Sequence, residues 1–376
     1  MRRVGIETAP GRPSPDGRPR AVRLGCFIGS SAQWGGMETV AGRVLAGLPQ
    51  RYEVTVIAVS APMAQRLVAQ RPGSRVLLLP PISGKKNLLG ISRYLTAFSR
   101  YRPDVLLAHL GQLYAGQYAL LASATARIPT LVAVHGVLPH QHRSLSDPLL
   151  AMLMRRMAGF VGVSPYVCRV IEEEFGVPVH KIRLVPNGVP DLDATARPAR
   201  HEGPMVIGAV GRLAWEKGLD ILIRAMASLP DCRLILAGEG PCRGSLEELS
   251  RALGVEERVA FVGLVDASWP EALGLDVVAV PSRNEGFGLT GVEAMRAGLP
   301  VVASDVGGIA EVLGRHGTVF VPPEDPEALA GALRVLAAEP ERRAALGEAA
   351  RAAIAGRYTV EGMVEGYVGL LDSLVA

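Results

Sequence analysis

Residues 281–308 read PSRNEGFGLTGVEAMRAGLPVVASDVGG. The stretch begins inside one Val-rich apolar run, LDVVAVPS (275–282), and ends on another, LPVVASDVGG (299–308). Short apolar runs of this kind are the mark of strands buried on both faces. Between them, Gly286, Phe287 and Gly288 make a glycine turn, and the residues from Leu289 and Thr290 to 297 carry helical spacing. Strand, turn, helix, strand is the repeating unit of a parallel α/β sheet. Such sheets bind ligands in the crevice at the carboxyl ends of their strands, and the turn falls there. Its backbone N–H groups, with the helix N-terminus, face that crevice and suit an anion. Glu285 stands on the turn, and Glu293 lies about one helical turn inside. Capping acids on a plain glycine turn would use the same residues.

The same alternation extends along the chain. Strands are expected at 22–29, 52–59, 75–80, 104–109, 130–136, 159–164 and 182–188, with helices at 38–48, 88–102, 113–126 and 165–175. After a polar stretch broken by Pro and Gly, the pattern restarts with strands at 205–213, 232–240, 258–263, 275–282, 299–308 and 318–323. Helices are expected at 217–228, 243–253, 290–297, 326–337, 340–355 and 360–374. The division expected is a disordered leader (1–20), a first Rossmann-like domain (21–190), a linker (191–204), a second such domain (205–358) and a last helix (359–376).

Composition agrees with buried sheets: hydrophobic residues are 49% and aromatics 5% of the chain. Four scattered cysteines form no ligand-spaced pair, and reduced thiols in a cytoplasmic protein are expected. No apolar run approaches the ~20 residues of a membrane span. The leader has five arginines and no apolar segment, unlike a signal peptide. The net charge of +4 is uneven: residues 1–200 hold 25 Lys/Arg against 11 Asp/Glu, a net +14, and the rest carries −10. A positive half favours anionic partners, although arginines that only solvate a surface give the same count.

Three further motifs carry chemistry. GRLAWEKGLDILIRAM (211–226) puts Arg212 and Lys217 on the loop after the second half's first strand, facing the same crevice as the glycine turn. Cations oppose the dipole at a helix start, so an anionic ligand accounts for them better than the helix does. SAQWGGMETVAGRVL (31–45) is a turn at Gly35 and Gly36 that leads into a helix and lets backbone approach a phosphate or an acceptor. His135 ends the strand TLVAVHG, and Asn187 sits in the loop VPNGV before the linker.

NEGFGLTGVEAM resembles the signature of the retaining glycosyltransferases of family 4, in which an acid and Gly-Phe-Gly precede Glu-Ala-Met. The likeness runs over residues 21–374 and includes Gly-Arg-Leu with Lys-Gly, the Gly-Gly turn, the strand-end histidine and the Asn-Gly loop. It implies the GT-B fold: two Rossmann-like, doubly wound parallel-sheet domains facing across a cleft, with the last helix crossing back to the first. It also implies a UDP- or GDP-sugar co-substrate bound by the second half, with Arg212 and Lys217 on the diphosphate and His135 touching the sugar. By position, Glu293 reaches the ribose diol and Glu285 a sugar hydroxyl. The residues expected at the donor are then Gly35, Gly36, Asn187, Gly286, Phe287, Gly288, Leu289, Thr290 and Glu293, with His135, Arg212, Lys217 and Glu285 in catalysis.

No metal and no further cofactor are expected, since His135, His140 and His142 lack a carboxylate or thiol companion. The acceptor expected is a phosphate-bearing lipid or glycan precursor, with a soluble natural product as the other reading. Neither nucleic acid nor an obligate protein partner is expected. KKNLLGISRYLTAFSRYR (85–102) is basic and amphipathic, and either packs on the sheet or meets an anionic membrane face. Two rival readings are a sugar-nucleotide epimerase of the same fold, which needs acid/base carboxylates in the first half, and a catalytically silent protein that binds lipid or carbohydrate. Donor hydrolysis separates these from a transferase.

Overall fold

The structure is a computed structural model describing residues 21–29, 34–82, 88–111, 116–136, 147–191, 203–266 and 268–376. Residues 1–20, Lys85, Lys86, His140, His142 and most of the expected linker lie outside the described residues. In the first half the strands are β1 Val22–Ile28, β2 Tyr52–Ala58, β3 Arg75–Leu78, β4 Val105–Leu110, β5 Thr130–Val134, β6 Gly159–Gly162 and β7 Ile182–Leu184. In the second they are β8 Met205–Val210, β9 Cys232–Ala237, β10 Val259–Gly263, β11 Val277–Val280, β12 Val301–Ser304 and β13 Thr318–Val321. The two sheets have the orders β3-β2-β1-β4-β5-β6-β7 and β10-β9-β8-β11-β12-β13, with parallel pairing in both. Both are therefore Rossmann-like, and the chain has the two-sheet architecture expected.

Strand order reverses beside the first strand of each half. β1 lies between β2 and β4, and β8 between β9 and β11. Connections on the two sides of such a point run to opposite faces, so the loops part and leave a crevice. The loops after β8 and β11 carry their motifs to the second crevice, and Gly35 and Gly36 stand at the start of the helix Gly36–Gly47 that follows β1. All six residues of β4 are buried, as a central strand covered by helices on both faces requires.

Most strands end earlier than expected, the helices Ala61–Gln70 and Asp147–Arg156 are not among those expected, and two of the differences have a plain cause. The strand at 182–188 stops at Leu184, because Pro186 has no N–H to continue a ladder. The helix at 217–228 is a 3₁₀ turn, Trp215–Lys217, followed by the helix Leu219–Met226. The left-handed Gly218 separates them.

The C-terminal helix Val360–Val375 packs on the first half. Met363, Tyr367 and Leu371 recur every fourth residue, and they are buried with Val40, Val44 and Tyr52. The Tyr52 hydroxyl donates to Asp372 Oδ1 at 2.5 Å. In the helix Leu88–Tyr101, Tyr94 and Phe98 are buried against the sheet, while Leu89 and Arg93 face outward. Among the described residues no helix is long and apolar enough to cross a membrane.

Candidate active site

Glu285 is where the loops after β8 and β11 meet. Its Oε2 accepts from Lys217 Nζ at 2.6 Å and from the Ser282 hydroxyl at 3.3 Å. The loop after β12 closes from behind, where the Gly308 N–H donates to the Glu285 carbonyl at 2.9 Å. Arg212 pairs with Glu216 on its own loop and keeps about half its side chain exposed. Gly288, at φ +83°, turns the chain into the helix Leu289–Arg296, a conformation that a β-branched residue would resist. That helix start follows Glu285 closely in the chain, and a Cβ at Gly288 would stand 3.8 Å from Glu285 Cγ. A cation, a helix N-terminus and a carboxylate thus line one strand-end crevice, an arrangement able to hold a diphosphate and one attached polar group.

The other residues expected at the donor take different positions. Phe287 is buried and meets the Tyr358 ring edge-on at 5.3 Å, so its ring belongs to the core. The Thr290 hydroxyl donates to the Val210 carbonyl at 3.0 Å and ties the helix start to β8. Leu289 packs between the cores of the two halves. Glu293, one turn in, accepts from Arg43 Nη2 at 3.0 Å and from Trp269 Nε1 at 3.2 Å. In the first half, the Gly35 N–H donates to Glu38 Oε2 at 2.9 Å, and Gly36 lies beside Leu289. Asn187 is buried, and its Oδ1 has no hydrogen-bond partner among the described residues.

The glycine turn also touches the first half. A Cβ at Gly286 would stand 2.5 Å from the His135 carbonyl oxygen, so a glycine is needed for the two loops to meet. The Ser164 hydroxyl donates to the Gly286 carbonyl at 2.6 Å. His135 lies one residue past β5, and its Nε2 is 2.9 Å from His109 Nδ1. Burial pushes the His135 imidazole down to about 3, which keeps it neutral at physiological pH.

Over residues 34–191 the sequence matches the family described as Glycosyltransferase Family 4, and over 193–353 the family described as Glycosyl transferases group 1. A D-inositol 3-phosphate glycosyltransferase of Xylanimonas cellulosilytica is 33% identical over 369 residues, which is 85% of this chain and 87% of the relative. The chain belongs to glycosyltransferase family 4. A 2-deoxystreptamine glucosyltransferase of Streptomyces kanamyceticus is 32% identical over 57% of this chain, and that match spans only 63% of the relative's length. The Anabaena protein HepE, solved with UDP and glucose, superposes with a TM-score of 0.78 over 94% of this chain and 100% of its own, at 23% identity. At that identity the likeness speaks for the GT-B fold.

Several residues of this family 4 site escape a reading of motifs. Arg283 donates to both carboxylate oxygens of Asp220 at 2.8 Å and to the Trp215 carbonyl at 2.8 Å. It also pairs with Glu324, and its own N–H donates to the Glu216 carbonyl at 2.9 Å. This one side chain joins the loop of Lys217 to the loop of Glu285. Burial raises the Asp220 carboxyl, but the Arg283 bonds outweigh it and hold the group below its usual range. Arg43 reaches across the cleft to Glu293 and also donates to the Gly188 carbonyl at 2.9 Å. Arg283 lies inside the quoted stretch, and Arg43 inside the Gly-Gly motif. Nothing in their spacing separates them from surface arginines.

Proposed function

We propose that this glycosyltransferase moves a hexose-type sugar from UDP- or GDP-sugar to an acceptor hydroxyl with retention of configuration, and without a metal. The observation that carries the reading is the Lys217–Glu285 pair at 2.6 Å, set beside a helix N-terminus at the second sheet's switch point. Lys217 and Arg212 supply the positive charge that the diphosphate needs as it leaves. Glu293 holds the ribose, and Glu285 and His135 approach the sugar from opposite sides of the cleft. The acceptor oxygen attacks the anomeric carbon on the face from which the diphosphate departs. The bond to phosphate oxygen breaks as the bond to acceptor oxygen forms, and the leaving phosphate oxygen takes the acceptor's proton. The protein contributes position and electrostatics.

The acceptor we favour is a phosphate-bearing cyclitol or lipid, met at an anionic membrane face when it is a lipid. Two observations support it: the net +14 of residues 1–200 and the likeness to a D-inositol 3-phosphate glycosyltransferase. A cationic cyclitol, in keeping with the 2-deoxystreptamine relative, is the second reading. Thermal shift against UDP, GDP and ADP identifies the base, since a ligand at 100 times its Kd adds ~2.7 kcal/mol. NMR of the product anomer then decides retention. Lys217→Ala and Arg212→Ala should each lower kcat by roughly 10²–10³-fold, with wild-type turnover unaffected by EDTA. Near-normal variants, or a wild type silenced by EDTA, would overturn the assignment of charge.

A further inference from the structure

β4 and β5 pair in the middle of the first sheet; His109 is the last residue but one of β4 and His135 follows β5, both on the face covered by the C-terminal helix. Val105 and Leu107 of β4 point into that layer, as do Leu131 and Ala133 of β5. Side chains alternate along a strand, so His109 and His135 continue the same face. Their rings stack with centroids 5.2 Å apart, and His109 Nδ1 lies 2.9 Å from His135 Nε2. On the other side of His109 stands the ring of Tyr367, from the C-terminal helix, at 5.8 Å. His109 and Tyr367 are fully buried, and His135 is half-buried as a residue with its Nδ1 buried.

Burial, with His135 beside it, also holds the His109 imidazole well below its ordinary range, so both rings are neutral. A neutral imidazole has one N–H and one acceptor nitrogen, and the bond between the rings uses one nitrogen of each. The remaining atoms, His109 Nε2, His135 Nδ1 and the Tyr367 hydroxyl, are buried without a hydrogen-bond partner among the described residues. Such atoms are few in native proteins, and a catalytic role is one of the accounts of them. We infer that His109 is a positioning residue for sugar transfer, which fixes the plane and tautomer of His135 so that its Nδ1 carries the proton. In that arrangement His109 Nδ1–H donates to His135 Nε2. His109 Nε2 is then an acceptor on the side of the Tyr367 hydroxyl, a donor in need of one. The inference rests on His135 touching the sugar.

The test uses ¹⁵N-histidine NMR on the unliganded full chain, with kinetics, for wild type, His109→Phe and His109→Asn. Wild-type His135 should show one tautomer, protonated at Nδ1, and His109→Phe should move it toward a mixture. Turnover in His109→Phe should drop by about 10-fold to 100-fold, the scale for losing a partner that orients a histidine. The Kd for UDP or GDP should stay unchanged. His109→Asn, which keeps a polar group near the Nδ1 position, should recover part of kcat. An unchanged His135 spectrum in His109→Phe would overturn the inference. So would an unchanged kcat, or equal losses in both variants in step with melting temperature. A wild type that turns over no nucleotide sugar would instead sink the transferase reading, while the spectra still decide the histidine pair.

Discussion

Glu285 and Glu293 differ in what already holds them. Glu285 is bonded to Lys217 within the second half, while Glu293 is bonded to Arg43 of the first half and to Trp269. With Glu285 at the sugar and Glu293 at the ribose, Glu285→Gln should lower transfer by about 10²-fold, as for loss of a transition-state contact. Nucleoside diphosphate affinity should stay within about 1 kcal/mol of wild type. Glu293→Gln should weaken that affinity roughly tenfold, or ~1.4 kcal/mol. Isothermal titration with UDP and GDP checks both, and equal losses would show the roles to be shared. Gly286 offers a second test at this scale. An added methyl group would stand 2.5 Å from the His135 carbonyl, against backbone that cannot swing aside. Gly286→Ala should therefore cost about 1–3 kcal/mol, the usual cost of overpacking, and lower kcat along with it. A variant that melts and turns over like wild type would show that the halves do not need this close approach.

The C-terminal helix belongs to the second half by sequence and to the first by packing. Two kinds of contact hold it there, and their magnitudes differ. The Arg51–Asp372 pair keeps about a third of each side chain exposed, so it contributes at most about 1 kcal/mol. Leu371 is fully buried in the first core, where truncation to Ala typically costs about 2–5 kcal/mol. Urea unfolding of Leu371→Ala and Arg51→Ala should reproduce that order, and a larger loss for Arg51→Ala would reverse the account. The helix Leu88–Tyr101 illustrates the same arbitration. Its basic amphipathic pattern fits a membrane surface, yet Tyr94 and Phe98 lie in the core. Apolar burial takes that face, which leaves only the outer edge with Leu89 and Arg93 for any lipid.

Across the whole molecule, the uneven charge acquires a structural role. Arg43, Arg51 and Arg169 of the positive half pair with Glu293, Asp372 and Glu311 of the negative half. Part of the excess therefore joins the two halves rather than waiting for a ligand. Stability against pH is set differently. His109 and His135 are depressed below 6.5, so as pH falls below that value the unfolded chain takes up protons that the folded chain refuses. Stability should therefore fall as pH drops from 6.5 toward about 3, where His135 protonates in the folded state. The Asp220 contribution has the opposite origin and is lost only below 3.8, as its carboxylate protonates. Melting curves between pH 7 and about pH 5 should slope less in His109→Phe than in wild type. Equal slopes would place the loss elsewhere.

The amino-acid pattern by itself determined the repeated strand and helix units, both parallel sheets, the glycine turn and the loops that bear Arg212, Lys217, Glu285 and His135. These are local facts: burial on both faces makes Val-rich strands, and a glycine turn between strand and helix opens a strand-end crevice. Only the tertiary structure decided which of these groups meet. Lys217 and Glu285 are 68 residues apart, His109 and His135 are 26 apart, and Arg43 and Glu293 are 250 apart. Periodicity reports the face on which a side chain lies, not the partner it meets across a cleft. An arginine that bridges two domains and one that faces water look alike in the chain. The crossing of the last helix was legible only through family likeness, since an apolar stripe such as Met363, Tyr367 and Leu371 names no sheet to cover. The fold supplies that sheet, because β4 of the first half and the helix Gly36–Gly47 beside it leave an apolar face that this helix buries.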